Sequence, residues 1–209
     1  RRHVPPGPPP PSSKRPPSPA VPRPPPPRAD RRVVVSVARL NWAKDHATLL
    51  TALELARRQR PDIEVHLVGD GAERPRLEAL VESLGIRDAV QFLGERSDVG
   101  DCLNDGHVFA LSSVTEGLPV ALLEALALGL VPIVTDVGGM PDVVAQAGIG
   151  RVVPPRNPEA MAAALVEIAT ASGRWPEWAE TAQRAYQQHY TIARMCADYA
   201  ALMRRCLAA

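Results

Sequence analysis

Beyond residue 32 the chain alternates between two hydrophobic periods. Val33–Val37 is a short run of β-branched residues, the pattern of a strand buried on both faces. Leu49, Leu50, Leu53 and Ala56 then form a helical stripe between Asp45 and Arg60, closed by Pro61. Ile63–Val68 reads as the next strand. Leu77, Leu80, Val81 and Leu84 follow at i, i+3, i+4 and i+7, an amphipathic helix stopped by Gly85. Further strands are expected over Ala89–Leu93, Val108–Leu111, Val131–Thr135 and Arg151–Val153. Helices are expected near Asp98–Leu103, over Pro119–Leu128 and over Pro141–Gln146. Asn157 caps a helix that runs to Thr170 with Pro158 at its first position, and Trp175–His189 and Ile192–Leu207 read as two terminal helices. Strand–helix alternation at this spacing predicts parallel βαβ units with right-handed crossovers, hence an α/β, Rossmann-like, doubly wound parallel sheet. Such sheets bind ligands at the carboxyl ends of their strands, so every loop after a strand is a candidate site.

Composition divides the chain into residues 1–32 and 33–209. The first part holds 14 of the 23 prolines, eight basic residues and one acid, a net of +7. Val4 and Val21 are its only large apolar residues, too few to offset the entropy of ordering, so a disordered Pro/Arg-rich segment is expected. It lacks the apolar stretch of a signal peptide, and the chain does not begin with Met, as in a fragment or a processed product. The second part holds 16 basic residues and 22 acids, a net of −6. Its longest apolar run, Ala125–Val134, is interrupted by Gly129 and Pro132 and falls short of the roughly 18 residues of a membrane span. Cys102, Cys196 and Cys206 are odd in number and lack metal-binding spacing, so three reduced thiols in a cytoplasmic protein are expected, with no metal. An acidic domain poor in aromatics is also an unsuitable nucleic-acid binder.

The chemistry gathers in the loops after strands. Arg39 and Lys44 bracket the turn into the first helix, and Lys44 is the only Lys among the 16 basic residues of the second part. Two cations beside a helix start can seat a diphosphate, although two solvated surface bases read equally well from spacing alone. Gly69-Asp70-Gly71 is a tight turn whose glycines permit close approach of a ligand, but it lacks the rest of a dinucleotide fingerprint. Glu116-Gly117-Leu118-Pro119 precedes a helix that is apolar except at Glu124, so that helix is expected to be buried and the carboxylate to require partners. Glu116 and Glu124 are eight residues apart, about 12 Å if helical throughout. That exceeds the roughly 5–9.5 Å between paired carboxylates in glycoside hydrolases. The spacing suits two parts of one extended ligand better than hydrolysis. Gly138-Gly139 ahead of Pro141 is a further loop able to expose backbone amides. His46, His66, His107 and His189 form no group and read as structural.

Glu116 to Glu124 forms an E-x7-E element, EGLPVALLE followed by ALALG. With Arg39-x4-Lys44, Gly69-Asp70-Gly71 and Gly138-Gly139, residues 33–207 resemble the donor-binding half of a retaining GT-B glycosyltransferase, most closely the group-1 family, glycosyltransferase family 4. The resemblance implies transfer of a sugar from a nucleotide-sugar to an acceptor with retention of configuration. Arg39 and Lys44 would hold the diphosphate and stabilise the leaving group. Glu116, with the backbone of Gly117 and Leu118, would contact sugar hydroxyls. Gly69, Gly71 and Pro119 would belong to the nucleotide-sugar site, Glu124 would bond the ribose, and no metal or other cofactor would be needed. Asp142 stands where the family usually has Glu. The amino-terminal acceptor domain of such an enzyme is missing from the chain, so weak donor binding and little or no transfer are expected of it alone, with any peripheral membrane contact made through the missing half. Two other readings remain at this point: a nucleotide-sugar epimerase of the same fold, and a non-catalytic module recruited by its proline-rich tail.

Overall fold

A computed structural model describes residues 31–208, so of the segment 1–32 read as disordered, residues 1–30 lie outside the described residues, while Arg32 already opens the first strand. Six strands, β1 (Arg32–Val37), β2 (Ile63–Val68), β3 (Val90–Gly94), β4 (Val108–Leu111), β5 (Val131–Thr135) and β6 (Arg151–Val153), form one parallel sheet in the order β3-β2-β1-β4-β5-β6. The crossovers carry α1 (His46–Arg57), α2 (Arg74–Ser83), α3 (Val99–Asn104), α4 (Val120–Ala127) and α5 (Met140–Ala147), and α6 (Pro158–Thr170), α7 (Trp175–His189) and α8 (Ile192–Ala208) follow. The predicted doubly wound α/β fold is the one observed.

The strands alternate between two apolar layers because successive side chains point to opposite faces. Val34 joins Leu49, Leu53, Leu77 and Leu165 in the layer under α1, α2 and α6. Val33 and Val35 join Leu103, Leu122, Leu126 and Met140 in the layer under α3, α4 and α5. Neighbouring strands β1 and β4 thus send their helices to opposite faces. The carboxyl ends of these two strands are therefore the switch point of the sheet, the place at which such sheets bind ligands.

Several local expectations change. A 3-10 turn, Trp42–Lys44, precedes α1, and Asp45 caps the helix in a left-handed conformation at φ 45°. Pro119 is the residue before α4, not its first turn: its ring fixes φ at −71°, but ψ of 125° is extended. The burial expected of α4 is also incomplete. Leu122, Ala125 and Leu126 are buried, whereas Val120 is 67% exposed and Glu124, one turn later on the same face, is exposed. α8 lies along the surface with Ile192, Met195, Tyr199, Met203 and Leu207 exposed. Among the described residues no helix is long and apolar enough to cross a membrane.

Candidate functional site

Three loops are fastened together at this switch point. The loop after β4 begins with Ser112 and Ser113, both fully buried. The Ser112 hydroxyl lies 3.0 Å from the Lys44 carbonyl oxygen and 2.9 Å from that of Asp45, and donates its proton into that pair. The Val114 amide donates to the Ala43 carbonyl at 2.8 Å. Thr135, at the end of β5, donates to the Ser113 carbonyl at 2.6 Å. Buried hydroxyls are costly unless bonded, so these contacts fix which backbone segments can meet here. Thr48 donates to the Asp45 carboxylate at 2.7 Å and its amide donates to the Asp45 carbonyl, holding the left-handed turn that delivers Lys44.

On this frame the Lys44 ammonium pairs with Glu116 Oε1, which also accepts the Ser113 hydroxyl at 2.9 Å. The Glu116 side chain is 9% exposed and that of Lys44 22%, so both are largely withdrawn from water. Residues 72 apart in sequence become direct partners. Arg39 stands on the same loop as Lys44, exposed, with no side-chain partner among the described residues. Gly117 and Leu118 are exposed beyond Glu116, and no side chain caps the first turn of α4. Glu124 is further along that helix and forms no ion pair among the described residues. The carboxylate read as buried and in need of partners is therefore solvent-facing.

The glycines have a different physical reason from the one expected. A Cβ on Gly69 would come within 2.1 Å of the Ala38 carbonyl oxygen, and one on Gly71 within 2.3 Å of that of Leu40. The close approach they allow is that of the loop after β1, which is tied down by Leu40 N–H to Asp70 O at 3.0 Å. Gly138, at φ 58°, admits the carbonyls of Glu116 and Gly117 at 2.4 and 2.5 Å from where its Cβ would be. Gly139 does not present a free amide, because its N–H donates to Gly117 O at 2.8 Å. The three loops thus brace one another.

His46 and His107 serve packing. His46 opens α1 and is 2% exposed, with Nδ1 unpartnered among the described residues. Burial, and then the nearby Lys44 charge, lower its pKa to about 4. His107 stacks on Trp175 at 4.4 Å, and its Nδ1 accepts from the Val33 amide. Its pKa is also lowered to about 4, by burial and then by Arg32. Sequence reasoning missed Ser112, Ser113, Thr135 and Thr48. The available signal was hydroxyl residues placed directly where apolar strands end.

The family model for glycosyl transferases group 1 matches residues 19–188. Among curated proteins, the putative colanic acid biosynthesis glycosyltransferase WcaL of Salmonella typhimurium is 32% identical over 143 residues, covering 65% of this chain and 35% of the relative. The D-inositol 3-phosphate glycosyltransferase of Corynebacterium urealyticum is 33% identical over 146 residues, covering 66% of this chain and 34% of the relative. Anabaena Alr3699/HepE, solved in complex with UDP, superposes with a TM-score of 0.77 at 22% identity, over 85% of this chain and 50% of its own. The chain spans about a third of the length of these two curated relatives. With the family model covering most of the chain on a sheet of matching fold, the protein belongs to the group 1 glycosyltransferases.

Proposed function

We propose that this domain binds a nucleotide-sugar and supplies the donor side of an enzyme that transfers the sugar to an acceptor with retention at the anomeric carbon. The observation that carries the reading is the pairing of Lys44 with Glu116 at the switch point of the sheet. A cation and a carboxylate side by side suit the phosphate and sugar ends of one extended ligand. In the reaction, the bond from the anomeric carbon to the β-phosphate oxygen breaks, the acceptor hydroxyl oxygen bonds to that carbon, its proton passes to the departing phosphate oxygen, and the diphosphate leaves still negatively charged. Lys44 and Arg39 are the cations on the loop beside it, and positive charge fixed before reaction stabilises such a leaving group most. The uncapped amides at the start of α4 add partial positive charge, so the reading requires no metal. Glu116 accepts from sugar hydroxyls, with Gly117, Leu118 and Pro119 forming the adjoining wall. Glu124, exposed on the outer face of α4, takes the ribose hydroxyls. Gly69 and Gly71, which let the loop after β1 approach closely, belong to the same nucleotide-sugar site. The UDP present in the Anabaena structure supports the nucleotide part of this reading.

The limited span relative to curated relatives supports an acceptor side that lies outside this chain. In a complete protein containing this domain, Lys44→Ala and Glu116→Gln should each lower kcat/KM for sugar transfer by about a hundredfold or more, the scale of losing one preorganised electrostatic contact. Transfer at the wild-type rate in both variants would contradict the assignment.

A further inference from the structure

We infer that Glu116 makes this site discriminate between a sugar-bearing donor and the bare nucleoside diphosphate left after transfer. The inference rests on the donor-site reading above. The Lys44 ammonium is engaged by the Glu116 carboxylate, and Ser113 donates to that same carboxylate oxygen. Any phosphate that approaches Lys44 therefore meets a resident anion and must share the ammonium with it or displace it. The pair is largely shielded from water, so removing the ammonium leaves a carboxylate with one hydroxyl partner and poor access to solvent.

The two ligands differ in what they return to that carboxylate. A sugar on the β-phosphate brings hydroxyl donors, which replace the lost ammonium with charge-assisted hydrogen bonds. A bare diphosphate brings only acceptor oxygens and a further negative charge on its terminal phosphate, close to Glu116. It loses the Lys44–Glu116 contact without replacement and adds repulsion between like charges. The discrimination comes from a penalty on the wrong ligand as well as from contacts to the right one. After transfer, Glu116 can recapture Lys44 and so favour release of the diphosphate. The Ser113 hydroxyl and the brace from Gly138 keep Glu116 close enough to do this.

Calorimetric titration of the full 209-residue chain tests the inference. The probes are UDP against UDP-glucose, with GDP against GDP-glucose and ADP against ADP-glucose in parallel to cover the base. Glu116→Gln should bind the bare diphosphate about tenfold more tightly than wild type, one charge-assisted contact's worth, while the sugar-bearing form gains nothing or weakens. Glu116→Ala should show the same sign, and circular dichroism should show both variants folded. Lys44→Ala should weaken both ligands, and adding Glu116→Gln to it should restore little, because the gain operates through Lys44. Unchanged or weaker diphosphate binding in Glu116→Gln overturns the inference and leaves the donor-site reading intact. An equal gain in the Lys44→Ala background does the same, since it would reveal a general charge effect. If wild type binds none of the six nucleotides, the donor-site reading fails and the inference fails with it.

Discussion

At the scale of single residues, placement decides chemistry more than identity does. Lys44 and Glu116 have ordinary side chains, and their significance comes from being held together by Ser112, Ser113 and Thr48. The histidines illustrate the opposite case. His46 and His107 have pKa values lowered to about 4, against about 6.5 in an unfolded chain. The native state therefore binds fewer protons than the unfolded state between those values. Their contribution to stability is complete above about pH 6.5 and is lost as pH falls through about 4. For the nearly fully buried His46 the loss is on the order of 3 kcal/mol. Urea midpoints should fall steadily from about pH 7 to about pH 4.5, and the ring resonances of both histidines should not titrate above about pH 5. A midpoint independent of pH, or an imidazole titrating near its ordinary value, would contradict this assignment.

At the scale of elements, the pattern of apolar residues located the strands and helices because burial on alternate faces leaves a period in the chain. β2, β4, β5, β6 and α7 lie where the periodicity places them. Contacts between loops leave no such period. The sequence marks Gly138 as a glycine but cannot show that the Glu116 and Gly117 carbonyls occupy the space of its missing side chain. It marks Glu124 as the polar residue of an apolar helix, yet not that the helix leaves Val120 and Glu124 uncovered. The loop brace makes a specific prediction. Gly138→Ala combines a φ of 58° with a Cβ 2.4 Å from a carbonyl oxygen, and should cost at least about 2 kcal/mol in urea unfolding and weaken nucleotide-sugar binding. Gly148→Ala has a similar φ of 68° but meets nothing within 4 Å, so its cost should be about 1 kcal/mol with binding unchanged. Equal effects from the two substitutions would show that backbone conformation alone matters and that the brace does not.

At the scale of the whole molecule, the near-neutral net charge of +1 conceals a basic, proline-rich beginning and an acidic domain. The domain's average charge would repel a nucleotide, so an anion can be held only where cations are concentrated. The sheet order creates that place by sending α1 and α4 to opposite faces of adjacent strands, with Arg39 and Lys44 on one loop and Glu116 on the other. The alternation of strands and helices was enough to predict the doubly wound sheet, and the family resemblance proposes what its switch point holds. The direct contact between Lys44 and Glu116 needed the fold. The most direct test of the central claim is a crystal structure of the 209-residue chain with whichever nucleotide-sugar binds most tightly in titration. The diphosphate should lie against Lys44 and the first turn of α4, with the sugar hydroxyls on Glu116. A nucleotide seated away from the carboxyl ends of β1 and β4, with Lys44 still paired to Glu116, would contradict it.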